Sequence, residues 1–136
     1  MTKIKIDIQI DAPIEKVWEC WTRPEHIIHW NFAGDDWCCP AAINDLRPGG
    51  LMNWRMESKD GSMGFDFIGE YEVVEEMKYI SCRLGDDRIV EIQFKSDGAK
   101  TQIIESFDAE EINSLELQKT GWSMILGNFK KHVESL

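Results

Sequence analysis

The chain has 136 residues, with 15 basic against 25 acidic side chains and a formal net charge of −10. That is the size of one domain, read here as spanning 1–136, and a domain of this length buries roughly two thirds of its unfolded surface. The charge repels phosphate backbones and anionic lipid surfaces, so no nucleic acid partner is expected. No apolar run approaches the ~20 residues that span a bilayer and the first residues carry no signal-peptide stretch, so no membrane insertion and a soluble, cytoplasmic protein are expected. Four cysteines are too few for a disulfide scaffold, and Cys20 and Cys82 are expected to pack as small hydrophobes.

Lys3 to Ile10 alternates strictly, with Ile4, Ile6, Ile8 and Ile10 on one face, and predicts a half-buried strand. Pro13 suits the first turn of a helix whose apolar positions Ile14, Val17, Trp18 and Trp21 follow helical spacing. Thr22 and Glu25 stand at capping-box spacing, which predicts a second short helix running toward Trp30. Asn31 to Pro40 has no period, and Gly34, Asp35, Asp36 and Pro40 favour an irregular loop.

From Ile43 the pattern turns to strands. A short strand enters the turn at Asp45 to Gly50, and Met52, Trp54 and Met56 then alternate with polar residues up to a hairpin turn at Lys59-Asp60-Gly61. The return strand, Phe65 to Val74, sets Phe65, Phe67, Gly69, Tyr71 and Val73 on one face. Three further strands, Tyr79 to Leu84, Arg88 to Phe94 and Thr101 to Phe107, complete an antiparallel meander. Trp122, Ile125, Leu126, Phe129 and Val133 then form the apolar stripe of a long terminal helix, with Asn113 and Glu116 as its expected cap. The order predicts an α+β domain with helices against one side of an antiparallel sheet of about six to seven strands.

Five motifs in order sharpen this: Ile10-Asp11-Ala12-Pro13-Ile14-Glu15-Lys16-Val17-Trp18, Trp21-Thr22-Arg23-Pro24-Glu25, Asp45-Leu46-Arg47-Pro48-Gly49-Gly50, Gly69-Glu70-Tyr71 and Gly121-Trp122. Together they resemble the branch of the START-like (SRPBCC) superfamily named for the activator of Hsp90 ATPase, over nearly the whole chain. The resemblance implies a helix-grip fold, in which a curved sheet wraps the last helix around a cavity. It also implies a small-molecule or lipid-like ligand between sheet and helix. The eukaryotic activators carry a separate N-terminal domain important for stimulating the chaperone, whereas this sequence opens on the first strand of the grip domain, so a held ligand is the safer implication.

Five of the six tryptophans lie between Trp18 and Trp54. Each brings a large apolar surface and one N–H that needs a partner, so such a cluster fills a core or faces a ligand. Trp18 and Trp21 read as structural. Trp30, Trp37, Trp54, Met56, Phe65, Phe67, Tyr71, Trp122, Ile125 and Phe129 are the expected ligand contacts, since bulky, adaptable side chains suit a deformable pocket. Gly121 and Gly127 inside the terminal helix, where glycine costs ~1 kcal/mol relative to alanine, favour a pocket slightly, and close packing of the helix against the sheet would explain them too.

His26 and His29 lie near Asp35, Asp36, Cys38 and Cys39, but adjacent cysteines point apart and lack the separation that brings two sulfurs to one ion, so neither a metal nor another cofactor is expected. His29, Asp35, Asp36, Glu70 and Glu105 are the acid or base groups in range of catalysis, with His29 and Asp36 the foremost. The leading expectation is binding of a hydrophobic or aromatic, lipid-like or polyketide-like molecule. A cyclase- or dehydratase-type enzyme, as among relatives in the wider superfamily, and a module binding an Hsp90 homologue are the alternatives. A chaperone or a second copy of the chain would be its protein partner.

Overall fold

The computed structural model describes residues 2–136. Strand β1 (Lys3–Ile10) leads into helices α1 (Ile14–Thr22) and α2 (Pro24–Ile27); strands β2 (Trp37–Asn44), β3 (Leu51–Ser58), β4 (Gly64–Glu75), β5 (Tyr79–Leu84), β6 (Ile89–Asp97) and β7 (Lys100–Asp108) follow, and helix α3 (Leu115–Glu134) ends the chain. The strands form one antiparallel sheet in the order β1-β7-β6-β5-β4-β3-β2. Consecutive strands neighbour one another, except that β1 returns to pair with β7. The curved sheet grips α3, giving the helix-grip arrangement.

Local chemistry explains the frame. In β1 the inward isoleucines Ile4, Ile6 and Ile10 are buried and the alternate residues exposed. Register with β7 sets Ile6 opposite Glu105 and Ile8 opposite Ile103. Buried Thr101 donates its hydroxyl to the Ala12 carbonyl at 2.9 Å, tying β7 to the turn before α1. On α3 the stripe buries Leu126, Phe129 and Val133 and half-buries Trp122 and Ile125. Ser114 caps this helix, accepting from the Leu117 N–H at 3.0 Å; the cap is therefore one residue beyond the expected Asn113, because the Ser114 backbone is extended while Asn113 lies in the preceding bend.

Three other expectations are corrected. The aperiodic segment ending at Pro40 is partly strand, since β2 begins at Trp37 and pairs Trp37 with Ser58 and Cys38 with Glu57. A register shift between Cys38 and Ala41 absorbs Pro40, and β2 is an edge strand, where a residue without N–H is tolerated. The bulge destroys the alternation by which a strand is recognised. A second shift, between Tyr71 and Val73, turns Val73 to the solvent face. Thr22 forms no capping box; it is the last residue of α1, and its hydroxyl donates back to the Trp18 carbonyl at 2.8 Å.

The turn Asp45 to Gly50 needs its glycines. Gly49 has φ +83°, and a Cβ on Gly50 would meet the Asp45 carbonyl oxygen at 2.0 Å. This close turn lets the Gly49 N–H bond the Tyr71 carbonyl at 2.8 Å and the Tyr71 N–H bond that of Gly50 at 2.9 Å, which pins the start of β3 beside β4.

Candidate functional site

Between the concave face of the sheet and α3 lies a cavity of about 390 Å³. Its walls come from inward positions of successive strands: Met52, Trp54 and Met56 of β3, Phe65, Phe67 and Tyr71 of β4, Ile80 and Cys82 of β5, Val90 and Ile92 of β6. Gln118, Gly121, Trp122, Ile125 and Leu126 of α3 form the roof. Period-two alternation on the strands and the 3.6-residue period of the helix bring these residues to one space.

Nine of the ten residues named from sequence as ligand contacts border this cavity; Phe129 does not. Phe129 is fully buried behind it, its ring 4.9 Å from that of Trp30 and 5.0 Å from that of Trp21. One turn along α3 from Ile125, it faces α1 and the loop after α2 rather than β3 and β4. Trp21, read as structural, does both jobs, packing on Trp30 at 5.0 Å and bordering the cavity. Trp18 is core, edge-on to Phe94 at 5.1 Å. Trp30 is held by its N–H, which donates to the Cys20 carbonyl at 3.0 Å. Trp37 and Phe65 meet edge to face at 6.0 Å, with Phe65 46 % exposed, and so form an open rim.

The roof is fastened by polar contacts on buried side chains. Gln118 accepts from the Glu110 N–H at 2.9 Å and donates to the Asn113 carbonyl at 2.9 Å, fixing the segment before α3. Trp122 stacks on Phe107 with ring centroids 3.8 Å apart. Opposite, the Tyr71 hydroxyl donates to Asn44, which in turn donates to the Thr22 carbonyl at 2.7 Å. Burial pushes the Tyr71 hydroxyl up in pKa, and it moves the Cys82 thiol to about 12, with Glu105 and Glu72 adding to the rise. Neither group is an anion near neutrality. The Trp54 indole N–H is buried without a hydrogen-bond partner among the described residues.

Of the acid or base groups weighed in the sequence, His29 and Asp36 lie outside the cavity. Asp36 is exposed, and its carbonyl accepts from the Lys59 N–H at 2.8 Å. Asp35 and Glu70 are exposed too. Glu105 is the one that borders the cavity, 7 % exposed and without a hydrogen bond among the described residues. Burial alone lifts its pKa from 4.5 to about 8. Its signal was present in the sequence, because Ile103, Glu105 and Phe107 share the inward parity of β7 and a carboxyl there interrupts an apolar face.

The chain's three histidines gather elsewhere, at the junction of α1, α2 and α3. His26 Nδ1 and His132 Nε2 are 2.9 Å apart, and the His29 ring stacks on that of His132 at 5.6 Å. Cys20, His26 and His132 hold their ligating atoms within 4.8 Å of one another. This set of one thiol and two imidazoles differs from the His26, His29, Cys38 and Cys39 grouping weighed from sequence. Burial lifts the Cys20 thiol to about 11, so a metal there would have to displace its proton as well as the bond between the imidazoles.

The fold agrees with that of known proteins. The family model described as "Activator of Hsp90 ATPase homolog 1-like protein" matches residues 11–134. Among solved structures, an AHSA1-like protein from Aeromonas hydrophila is 41% identical with a TM-score of 0.92, covering 98% of this chain and 93% of that one. A protein from Cytophaga hutchinsonii is 47% identical with a TM-score of 0.84, covering 98% and 92%. DynU16, a putative protein in the dynemicin biosynthetic locus, shares the fold alone, at 15% identity and a TM-score of 0.75 over 97% of this chain and 47% of that one. No curated protein matches the chain. The family model's span and two relatives above 40% identity place it by sequence as well as by shape: the chain belongs to the activator of Hsp90 ATPase homolog 1-like family of the START-like superfamily.

Proposed function

We propose that the protein binds an apolar, partly aromatic small molecule in the cavity between the sheet and α3. The observation that carries this reading is the cavity itself, about 390 Å³ of space bordered mainly by aromatic and aliphatic side chains within a domain this small. Close packing is the normal state of a protein interior. A space of this size lined by Trp30, Trp54, Phe67 and Trp122 forgoes dispersion contacts that a ligand would restore. Ligand entry would pass the rim at Trp37 and Phe65, and binding would rest on apolar burial.

Gly121 supports the same reading. It borders the cavity, and a Cβ added to it meets nothing within 4 Å, so close packing against the sheet does not account for a glycine in this helix. Titration with a panel of fatty acids, flavonoids and polyketide-like aromatics should quench the tryptophan fluorescence for at least one class. Gly121→Leu should weaken that binding by about tenfold or more, a loss of ~1.4 kcal/mol, while the fold melts no earlier because leucine is the better helix former. Silence across the panel in calorimetry and fluorescence would refute the reading.

An enzyme of the cyclase or dehydratase type in the same cavity is favoured by one observation, the placement of Glu105. Its acid or base would then be Glu105 rather than His29 or Asp36, and turnover would disappear in Glu105→Gln. A chaperone-binding role has the family description behind it and predicts co-purification with an Hsp90 homologue.

A further inference from the structure

Glu105 stands where an aliphatic residue would give the more stable protein. Along β7 its inward neighbours are Ile103 and Phe107, and across the sheet it faces Ile6 of β1 and Ile92 of β6. All four are apolar, and no hydrogen bond to the carboxyl is made by any described residue. A buried polar group without a partner costs free energy unless something else supplies the bond. The carboxyl borders the cavity, so the missing partner is one that the cavity would admit.

We propose that Glu105 is the polar anchor of this cavity, and that its ligand is an uncharged apolar molecule carrying a carbonyl or hydroxyl oxygen that accepts a hydrogen bond from the Glu105 carboxylic acid. This rests on the cavity being a ligand site and goes further, by assigning the ligand's polar group. Near neutrality the carboxyl keeps its proton, because burial raises its pKa to about 8, and it therefore presents an O–H. The Trp54 indole N–H, which also borders the cavity and has no hydrogen-bond partner among the described residues, is a donor too. Unpartnered donors call for an acceptor, and an ammonium brings only more donors. A carboxylate ligand is disfavoured by the chain's net charge of −10 and by Glu105 itself once ionised.

The other titratable or charged groups that face the cavity leave this assignment intact. Cys82 of β5 and Tyr71 of β4 hold their protons above the range in question. Arg88, before β6, is engaged by Asp86 at 2.7 Å, and Glu110 accepts from the Asn113 N–H at 2.6 Å. The cavity-bordering residues of α3 are not titratable, and β1 offers Glu105 only Ile6. Glu105 is accordingly the group whose charge changes inside the cavity around pH 8.

The test uses three probes of nearly one shape: 2-acetylnaphthalene, its hydrocarbon counterpart 2-isopropenylnaphthalene, and the cationic 1-(2-naphthyl)ethylamine, each titrated calorimetrically into the whole protein. The ketone should bind about tenfold tighter than the hydrocarbon below pH 8, the gain of one well-made hydrogen bond. Its affinity should fall as pH rises through about 8, because ionisation removes the donor. Glu105→Gln, whose amide still donates but does not titrate, should keep the ketone preference and lose the pH dependence; Glu105→Leu should lose the preference. Equal binding of ketone and hydrocarbon overturns the anchor but leaves the cavity reading standing. Amine binding that is tightest, and tightens above pH 8, overturns the uncharged oxygen ligand. Binding of none of the three overturns the anchor, while the cavity reading is decided separately by the wider panel of fatty acids, flavonoids and polyketide-like aromatics. The wild-type comparison decides the matter even where a variant folds poorly.

Discussion

A single carboxyl sets the clearest expectation at the residue scale. In the folded protein Glu105 gives up its proton only near pH 8, against 4.5 for an ordinary glutamate. Between those two values the unfolded chain is ionised at this position while the folded chain is not, so the unfolded state binds fewer protons and stability falls as pH rises from 4.5 to 8. Below that window both states hold the proton, and above it both have released it. Glu105→Gln removes the effect. Urea unfolding should find the variant and the parent equally stable near pH 4.5 and the variant more stable near pH 8, by a few kcal/mol at ~1.4 kcal/mol per pKa unit. An unchanged difference across that window would mean that the carboxyl is solvated. Its inward parity was available from the β7 pattern, but that no described residue offers the carboxyl a hydrogen bond follows only from how β1, β6 and α3 close around it.

Among the elements, α3 was the most legible and β2 the least. The stripe from Trp122 to Val133 follows a helical period and is the side that turns inward, because on a long helix only one face can be covered. Its ends and interior carry separable contributions. Ser114→Ala should destabilise by about 1 kcal/mol through the lost cap on the Leu117 N–H. Gly127→Ala should stabilise by up to about 1 kcal/mol, since an added Cβ there meets nothing within 4 Å; thermal melts of the two variants moving in opposite directions would confirm both. The part of β2 before Ile43 escaped notice because the bulge between Cys38 and Ala41 interrupts alternation, and because what holds it is pairing with β3 rather than its own pattern. The shift between Tyr71 and Val73 misled in the same way, sending one valine of an apparent inward row to solvent.

For the whole molecule, the return of β1 to β7 makes β1 and β2 the two edges of the sheet. Their situations differ. Strand β1 pairs without interruption along all eight of its residues and buries three isoleucines. Strand β2 is bulged and largely unburied. Amide hydrogen exchange should therefore be slowest in β6 and β7, where pairing on both sides surrounds buried Ile92, Phe94, Ile103 and Phe107, and fastest among the strands in β2. Protection of β2 equal to that of β7 would show that the rim at Trp37 is more tightly held than its burial implies. Among the described residues no helix is long and apolar enough to cross a membrane. The amino-acid order by itself determined which segments are strands and helices wherever one period ran unbroken, which face of each turns inward, and, through five short motifs, the family. Those are properties of neighbours in the chain. Only the tertiary structure decided that Phe129 backs the cavity instead of bordering it, that Glu105 rather than His29 or Asp36 faces the enclosed space, and that His26 meets His132 and Cys20 in place of Cys38 and Cys39. Each depends on groups that the sheet's curvature and the seating of α3 bring together from distant parts of the chain, and a periodicity states which way a side chain points without stating what it will meet.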